Sequence, residues 1–430
     1  MRRALLVLAL LLPVIARADP EEQLGIGTEA MGLAGAVGAV GGSFSAAVYN
    51  PGAATLPADR PGFGELTFTT QFAWYDLWSS RASGAALDVA PVPATYAFAI
   101  GGRFDVGNGF GLRGLVLAAS VCLPYEGLVL SSLVPDDRPQ WLMHTDRTQH
   151  IVLHAALAYR MAEWLSVGVG LRVIFDEEAF LTGFAADVRR DPMTGRLLAG
   201  ARIGVDTSIY GHVAPTAGLL FSPLRDLRFG FSWRGELLSD DWGYARLQGL
   251  ESIGDLGFVY RFAHIYRPHQ LGLSAAWRPI PEIDVSAELT WALWSQAPSP
   301  TQADLGSRFG DILVPMLGVR VTPVAWLSLM AGYRFDRAPY ADLGGPTNLM
   351  TSDTHTATWG ARIDLDALID ADVPFTVGLA GRFAFLEDRE EIKNGRRFPD
   401  DAAFMGNPGY PGYRYGGWVP SLSLQVDARW

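Results

Sequence analysis

Two histidines come nearest to a catalytic or metal-binding pair. His150 and His154 stand four residues apart in a stretch that alternates apolar and polar positions, so both imidazoles share the face opposite Ile151, Leu153, Ala155 and Leu157. Imidazoles on one face suit a metal pair or a general base, or they are polar residues of an interior. No nucleophile motif accompanies them: the sequence has no GxSxG elbow, no HExxH, no GxxxxGK[ST] and no GxGxxG set between a strand and a helix. Cys122 is the single cysteine, which excludes a disulfide framework and a CxxC pair. The acid clusters at Asp136-Asp137, Asp240-Asp241, Glu387-Asp388, Glu390-Glu391 and Asp400-Asp401 lack EF-hand spacing. No cofactor and no metal ion are implied.

The arginines carry more chemistry. Arg160, Arg172, Arg234, Arg278, Arg320, Arg334, Arg362, Arg382 and Arg429 fall on polar faces of alternating segments, several within four positions of Asp176, Glu236, Asp336 or Asp364. Ion pairs filling an interior account for most of them. A guanidinium also matches a carboxylate in bidentate fashion, and Arg172, Arg234, Arg334 and Arg362 are the candidates to hold a ligand carboxylate.

Period-2 alternation positions these residues. Near the end, Trp418, Leu422, Leu424, Val426, Ala428 and Trp430 point one way while Ser421, Ser423, Gln425, Asp427 and Arg429 point the other. The pattern predicts fourteen strands, near 62–78, 92–105, 111–124, 145–161, 163–184, 201–222, 225–240, 258–279, 281–296, 310–323, 325–336, 354–368, 373–386 and 417–430. Short turns such as 161–163, 222–224, 279–281 and 322–324 alternate with long polar connections near 79–91, 125–144, 185–200, 241–257, 297–309, 337–353 and 387–416. That asymmetry is the mark of an antiparallel transmembrane barrel with short periplasmic turns and long outer loops. A large sandwich or propeller also alternates, but Trp164, Trp233, Trp277, Trp291, Trp294, Trp326, Trp418 and Trp430 sit at or near strand ends, where interfacial rings belong.

Composition agrees. The chain is 49% hydrophobic and 18% charged, yet beyond its first twenty residues it has no apolar run of the roughly 18 residues a spanning helix needs. A net charge of -11 argues against nucleic acid. Residues 1–18 read as a signal peptide: cationic Arg2-Arg3, an apolar stretch Ala4 to Ala16, and a small-x-small cleavage site at Ala16-Arg17-Ala18. Residues 19–60 do not alternate. Gly32, Gly35, Gly38 and Gly41 recur among Ala and Val, and the segment reads as a plug packed in the lumen of a barrel formed by 61–430.

Gly32-Leu33-Ala34-Gly35-Ala36, then Ala47-Val48-Tyr49-Asn50-Pro51-Gly52-Ala53, resembles the N-terminal hatch of the FadL/TodX family of outer-membrane transporters. Strand-turn-strand units at Pro215–Arg234, Leu271–Pro279 and Ala331–Asp336 extend the resemblance along the mature chain. The family order Asn-Pro-Ala-Gly reads Asn50-Pro51-Gly52-Ala53 here, and Gly42-Ser43-Phe44-Ser45 replaces an acidic pair. The resemblance implies an all-β, fourteen-stranded outer-membrane barrel with a lumenal hatch, monomeric, that takes up long-chain fatty acids or other apolar small molecules passively. It implies gating by Gly35, Asn50, Pro51 and Gly52, and a lateral opening near Pro124, whose alternative is an ordinary strand end. The apolar loop residues Leu128, Leu130, Leu133, Trp141 and Leu142 are candidates for first capture, and outer-membrane lipid and lipopolysaccharide are the surroundings. A lipid-acting barrel enzyme and a structural or adhesive barrel are the alternative functions.

Overall fold

The computed structural model describes residues 24–56, 64–89, 92, 94–107, 111–124, 139–141, 150–190, 193–195, 197–248, 256–297, 309–339, 349–369, 375–393 and 409–430. Along 176–190, 197–208, 239–248 and 256–265 this is the backbone course alone. Its strands are β1 (Gly64–Ala73), β2 (Asp76–Arg81), β3 (Thr95–Asp105), β4 (Leu115–Pro124), β5 (Gln140–Trp141), β6 (Ile151–Ala162), β7 (Leu165–Arg190), β8 (Leu197–Leu224), β9 (Leu227–Arg234) and β10 (Leu237–Gln248). They continue as β11 (Leu256–Arg267), β12 (Gln270–Ile280), β13 (Ile283–Ala292), β14 (Ile312–Val324), β15 (Leu327–Asp336), β16 (Leu349–Met350), β17 (Thr354–Asp364), β18 (Phe375–Ile392) and β19 (Gly412–Arg429).

Fourteen of these close a ring in the order β1, β3, β4, β6, β7, β8, β9, β12, β13, β14, β15, β17, β18, β19 and back to β1. The closing ladder runs antiparallel from Glu65↔Arg429 to Ala73↔Ser421. Closure leaves no sheet edge, the condition for a sheet in hydrocarbon, where an unpaired backbone group has no water to turn to. Leu157, Val169, Leu219, Phe231, Leu273, Leu289, Leu317, Leu329, Leu379 and Leu424 stand exposed around the outside. An apolar exterior on a closed sheet is the reverse of a sandwich or propeller, which bury that face. No helix among the described residues is long and apolar enough to cross a membrane. The molecule is a transmembrane barrel of the outer-membrane type. By its loop asymmetry the short-turn end is periplasmic.

Strand lengths depart from expectation at the outer end. About 9–11 tilted residues suffice to span a bilayer, but β7 has 26 residues, β8 has 28, and β18 and β19 have 18 each. Stretches expected as loops at 185–200, 241–257 and 387–416 are therefore partly strand, with β10 and β11 prolonging β9 and β12 as a paired hairpin. Beyond the membrane neither face meets lipid, alternation fades, and a polar strand reads as a loop. The opposite correction falls at 365–368, expected as strand: β17 stops at Asp364 and a one-turn helix spans Leu365–Ile369, its start held by Ala367 N donating to Asp364 Oδ1. Trp294 is a third correction. It does not belong to an outer aromatic girdle but lies in a 3-10 turn (Trp294–Gln296), stacked on Phe309 with ring centroids 5.6 Å apart.

Leu317 is 57% exposed in the middle of β14. Replacing it by arginine is expected to cost about 2–4 kcal/mol of folding free energy in lipid vesicles. A denaturant titration showing less than about 0.5 kcal/mol, the size of an ordinary surface change, would remove Leu317 from the lipid face.

Candidate functional site

Residues 24–56 carry helix α1 (Thr28–Gly32), helix α2 (Ala46–Tyr49) and a 3-10 turn (Pro51–Thr55). Helices of one turn have no stability of their own, and these are held by inward-facing residues of the wall. α1 packs on β15, β17, β18 and β19, and the 3-10 turn on β4, β6, β7, β8 and β9. Between them the spaced glycines track along the inner wall. Gly32 meets Gly360 and Met330, Gly35 faces Met316 and Arg334, and Gly38 lies against Ser274 and Glu288. Ala34 and Gly35 take φ of 55° and 89°, which turns the chain after α1.

Asn50 organises the second half. The following proline forces it into extended backbone, φ -155° and ψ 100°. Its Oδ1 accepts from Gly52 N at 3.1 Å, capping the 3-10 turn, while Nδ2 donates to Gly38 O at 2.6 Å and to Leu219 O at 3.2 Å. The Asn50-Pro51-Gly52 backbone rests on Gly168 of β7 and Gly218 of β8, which pair in register. A Cβ on Gly218 would collide with Asn50 Oδ1, and one on Gly168 with the Pro51 carbonyl.

An irregular buried segment leaves carbonyls without partners, and wall side chains supply the donors. Arg103 Nε donates to Ala54 O at 2.8 Å and its Nη2 to Leu56 O at 3.1 Å; Arg160 donates to Thr55 O and Arg228 to Val40 O. Gln71 reaches Gly25 O and Thr358 reaches Gly32 O. Contacts in the other sense include ionic and charge-assisted ones. Glu29 of α1 pairs with Arg320 at 2.6 Å, Arg320 also holds Asp284 at 2.7 Å, and Glu288 accepts from Gly38 N at 2.9 Å.

On the loop side of this segment lies a cavity of about 130 Å³. Leu24, Met31, Ala34, Val48, Ala292, Trp294, Val314 and Met316 form its apolar wall, and Arg234, Glu288, Arg334, Asp336 and Arg382 its polar one. Two of the four arginines expected to hold a carboxylate, Arg234 and Arg334, converge here. Arg334 is already bidentate to Asp336 at 2.6 and 2.7 Å. Arg362 faces a separate cleft on the short-turn side, and Arg172 is buried in the β6–β7–β8 wall between His154 and Ala214. Sequence reasoning placed Arg382 inward without choosing it for the site. It lines the cavity, and among the described residues its one hydrogen bond is a long 3.5 Å contact with Thr356. The signal available was a polar-face arginine with no acid on its own face nearby.

Gly35 lines this cavity, whereas Asn50, Pro51 and Gly52 sit on the β7–β8 floor. His150 and His154 are buried and inward-facing, and no cluster of metal-binding groups occurs among the described residues. Pro124 ends β4. Its partner on β3 is Ala97, whereas among the described residues the ladder to β6 runs only as far as Cys122↔Val152. Trp141 is not exposed: it packs edge-on against Tyr415 at 5.3 Å, next to Met350, where β5 pairs with β16. Leu128, Leu130, Leu133 and Leu142 lie outside the described residues, as does the expected signal peptide.

Asn50→Ala removes two donated bonds and a cap from a buried site. It is expected to loosen residues 50–56 by about 2 kcal/mol or more, roughly thirtyfold faster amide exchange at Gly52, Ala53 and Leu56. The β7–β8 ladder should stay protected, and unchanged exchange in the turn would remove Asn50 from this role.

No family model matches the sequence, and no curated protein matches it. Solved structures do. A FadL homologue of Pseudomonas aeruginosa aligns with a TM-score of 0.58 and 13% identity over 93% of this chain and 97% of that one. The toluene transporter TodX of P. putida gives 0.56 and 13% over 95% and 99%. The toluene transporter TbuX of Ralstonia pickettii gives 0.54 and 14% over 95% and 99%. The chain has the fold of the FadL/TodX barrels.

Proposed function

We propose that this barrel admits apolar small molecules across the outer membrane by passive diffusion, with residues 24–56 acting as its hatch. The observation that carries the reading is the partly open cavity between that segment and the wall, on the loop side. At about 130 Å³ it is close to the roughly 150 Å³ apolar cavity known to accept benzene, and well below the 300–1,000 Å³ of sites for larger ligands. The size favours a monoaromatic compound over a long-chain fatty acid. The solved neighbours TodX and TbuX are toluene transporters, which agrees in kind.

In this reading the apolar outer loop, with Leu128, Leu130, Leu133 and Leu142 but without the buried Trp141, captures the ligand. It moves to the cavity, and displacement of the hatch around Gly35, Asn50, Pro51 and Gly52 lets it pass. Exit is lateral near Pro124, beyond the last β4–β6 pair among the described residues, Cys122↔Val152. Partition of apolar surface, about 25 cal/mol per Å², is sufficient driving force. The chain works as a monomer among lipid and lipopolysaccharide, with no cofactor and no catalytic step, and its first 18 residues direct export. A carboxylate-bearing amphiphile such as a fatty acid is a second reading. It is favoured by Arg382, a cavity arginine with no carboxylate partner among the described residues.

The test is uptake of labelled toluene, labelled palmitate and a small hydrophilic solute by cells displaying the protein. Ala292→Phe, which fills the cavity, should cut toluene uptake about tenfold with the barrel still folded, while deleting residues 24–50 should raise the flux of the hydrophilic solute. Fluxes unchanged in both variants would overturn the reading. Arg382→Gln separates the substrates: loss of palmitate uptake alone would favour the amphiphile.

A further inference from the structure

Beneath the N-terminal segment, at the short-turn end, opens a cleft of about 860 Å³. Seven arginines line it, contributed by β6, β9, β12, β14, β17, β19 and the turn after β8, with Glu29 and Glu163 as the lining acids. Asp284 and Glu65 reach into the same group by pairing with Arg278 and Arg320, and with Arg429. Seven guanidiniums against four carboxylates leave three positive charges in excess. The rim turns add Asp226 and Glu282, which do not line the cleft.

The surplus has a definite place. Arg160 and Arg228 bind the backbone carbonyls of Thr55 and Val40, which carry no formal charge, and among the described residues neither meets a carboxylate. Arg228 Nε has no hydrogen-bond partner among the described residues, although it is shielded from solvent. Arg225, in the turn after β8, has no partner there either. An uncompensated guanidinium in a concave, partly desolvated site is costly unless an anion accompanies it. That holds for the half-buried Arg228, while Arg160 and Arg225 are exposed at the cleft and add two further forks; together the three match a multivalent oxyanion, which accepts from two or three forks at once.

We infer that this periplasmic cleft is a binding site for a multivalent phosphate-type oxyanion, held by Arg225, Arg228 and Arg160. Phosphate esters of lipid headgroups and free phosphates share that chemistry. The site lies on the opposite side of the N-terminal segment from the apolar cavity, and it needs no transport to operate.

Calorimetric titration of the full-length folded barrel in non-ionic detergent with inorganic pyrophosphate tests this, against sodium chloride of equal ionic strength. Saturable binding at one site per barrel is expected, weakened about tenfold in Arg225→Gln/Arg228→Gln and less than threefold in Arg228→Lys, which keeps the charge. Folding of each variant is verified by its resistance to unfolding in SDS without heat. If micelles doped with phosphatidylglycerol compete with pyrophosphate, a lipid headgroup is the source; if they do not, a free phosphate is. No saturable heat above the chloride control, or equal affinity in the wild type and the double glutamine variant, overturns the site. Because toluene uptake is a separate measurement, failure here leaves the transport reading standing, and the reverse holds.

Discussion

Hydrocarbon offers no hydrogen-bond partner, and the rest of this structure follows from that. The spanning strands pair with their neighbours around the ring, and the only way to pair the last strand is to bring it back to the first, Ala73 against Ser421 through Glu65 against Arg429. A closed ring of fourteen strands has a lumen wider than its own side chains fill. Its inner face is polar because its outer face must not be. The N-terminal segment meets that polar face with irregular backbone, which is tolerable at membrane depth only when buried in protein that satisfies it. The carbonyls of Gly25, Gly32, Val40, Ala54, Thr55 and Leu56 each find a wall donor, and the amides of Thr28 and Gly38 find Gln425 and Glu288.

The grip on the segment is uneven in kind. Its second half sits on glycine, where a single Cβ at Gly218 or Gly168 would overlap it, and is clamped by guanidiniums onto neutral carbonyls. Its first half adds ionic and charge-assisted contacts, Glu29 to Arg320 and Gly38 to Glu288, to neutral bonds with Gln71, Thr358 and Gln425. Leu24, Gly25, Ala30, Met31, Ala34 and Gly35 of that first half, with Val48 and Tyr49 of α2, are what a molecule in the loop-side cavity would touch. Contact chemistry and cavity position thus divide the segment into a half that faces an occupant and a half that is seated on the wall.

Much of this was legible in the sequence because lipid imposes a simple rule. Alternation in segments such as Leu227-Arg228-Phe229 and Ile283-Asp284-Val285 located the strands and their inward faces, and the count of fourteen is the ring observed. The rule fails where lipid ends, which is why β7, β8, β18 and β19 outrun their expected limits. It fails for Trp294, whose strand-end position resembles a girdle residue although it faces the cavity. It is silent on partners far apart in sequence: nothing near Glu29 points to Arg320, 291 residues away. From sequence most inward arginines read as ion-pair residues filling the interior, as Arg278 and Arg429 are, but Arg160 and Arg228 serve backbone carbonyls, a target that leaves no trace in residue type.

Two of the cavity arginines, Arg334 and Arg382, differ in what a ligand carboxylate would have to displace. Arg334 directs Nε and Nη2 at Asp336 in a short bidentate pair, leaving only Nη1, 3.7 Å from the Met316 sulfur. A second carboxylate at Arg334 would break charge-assisted bonds of about 1.5–3 kcal/mol each or stand against Asp336 with like charge. Arg382 gives up only a long bond to the Thr356 hydroxyl. A neutral aromatic ring makes no such demand on either residue. It needs apolar area, which Met31, Trp294, Val314 and Met316 supply in a space of benzene's scale. The same cavity therefore offers a small neutral ring its walls and an anionic amphiphile one arginine, and its volume of about 130 Å³ is nearer the scale of the ring.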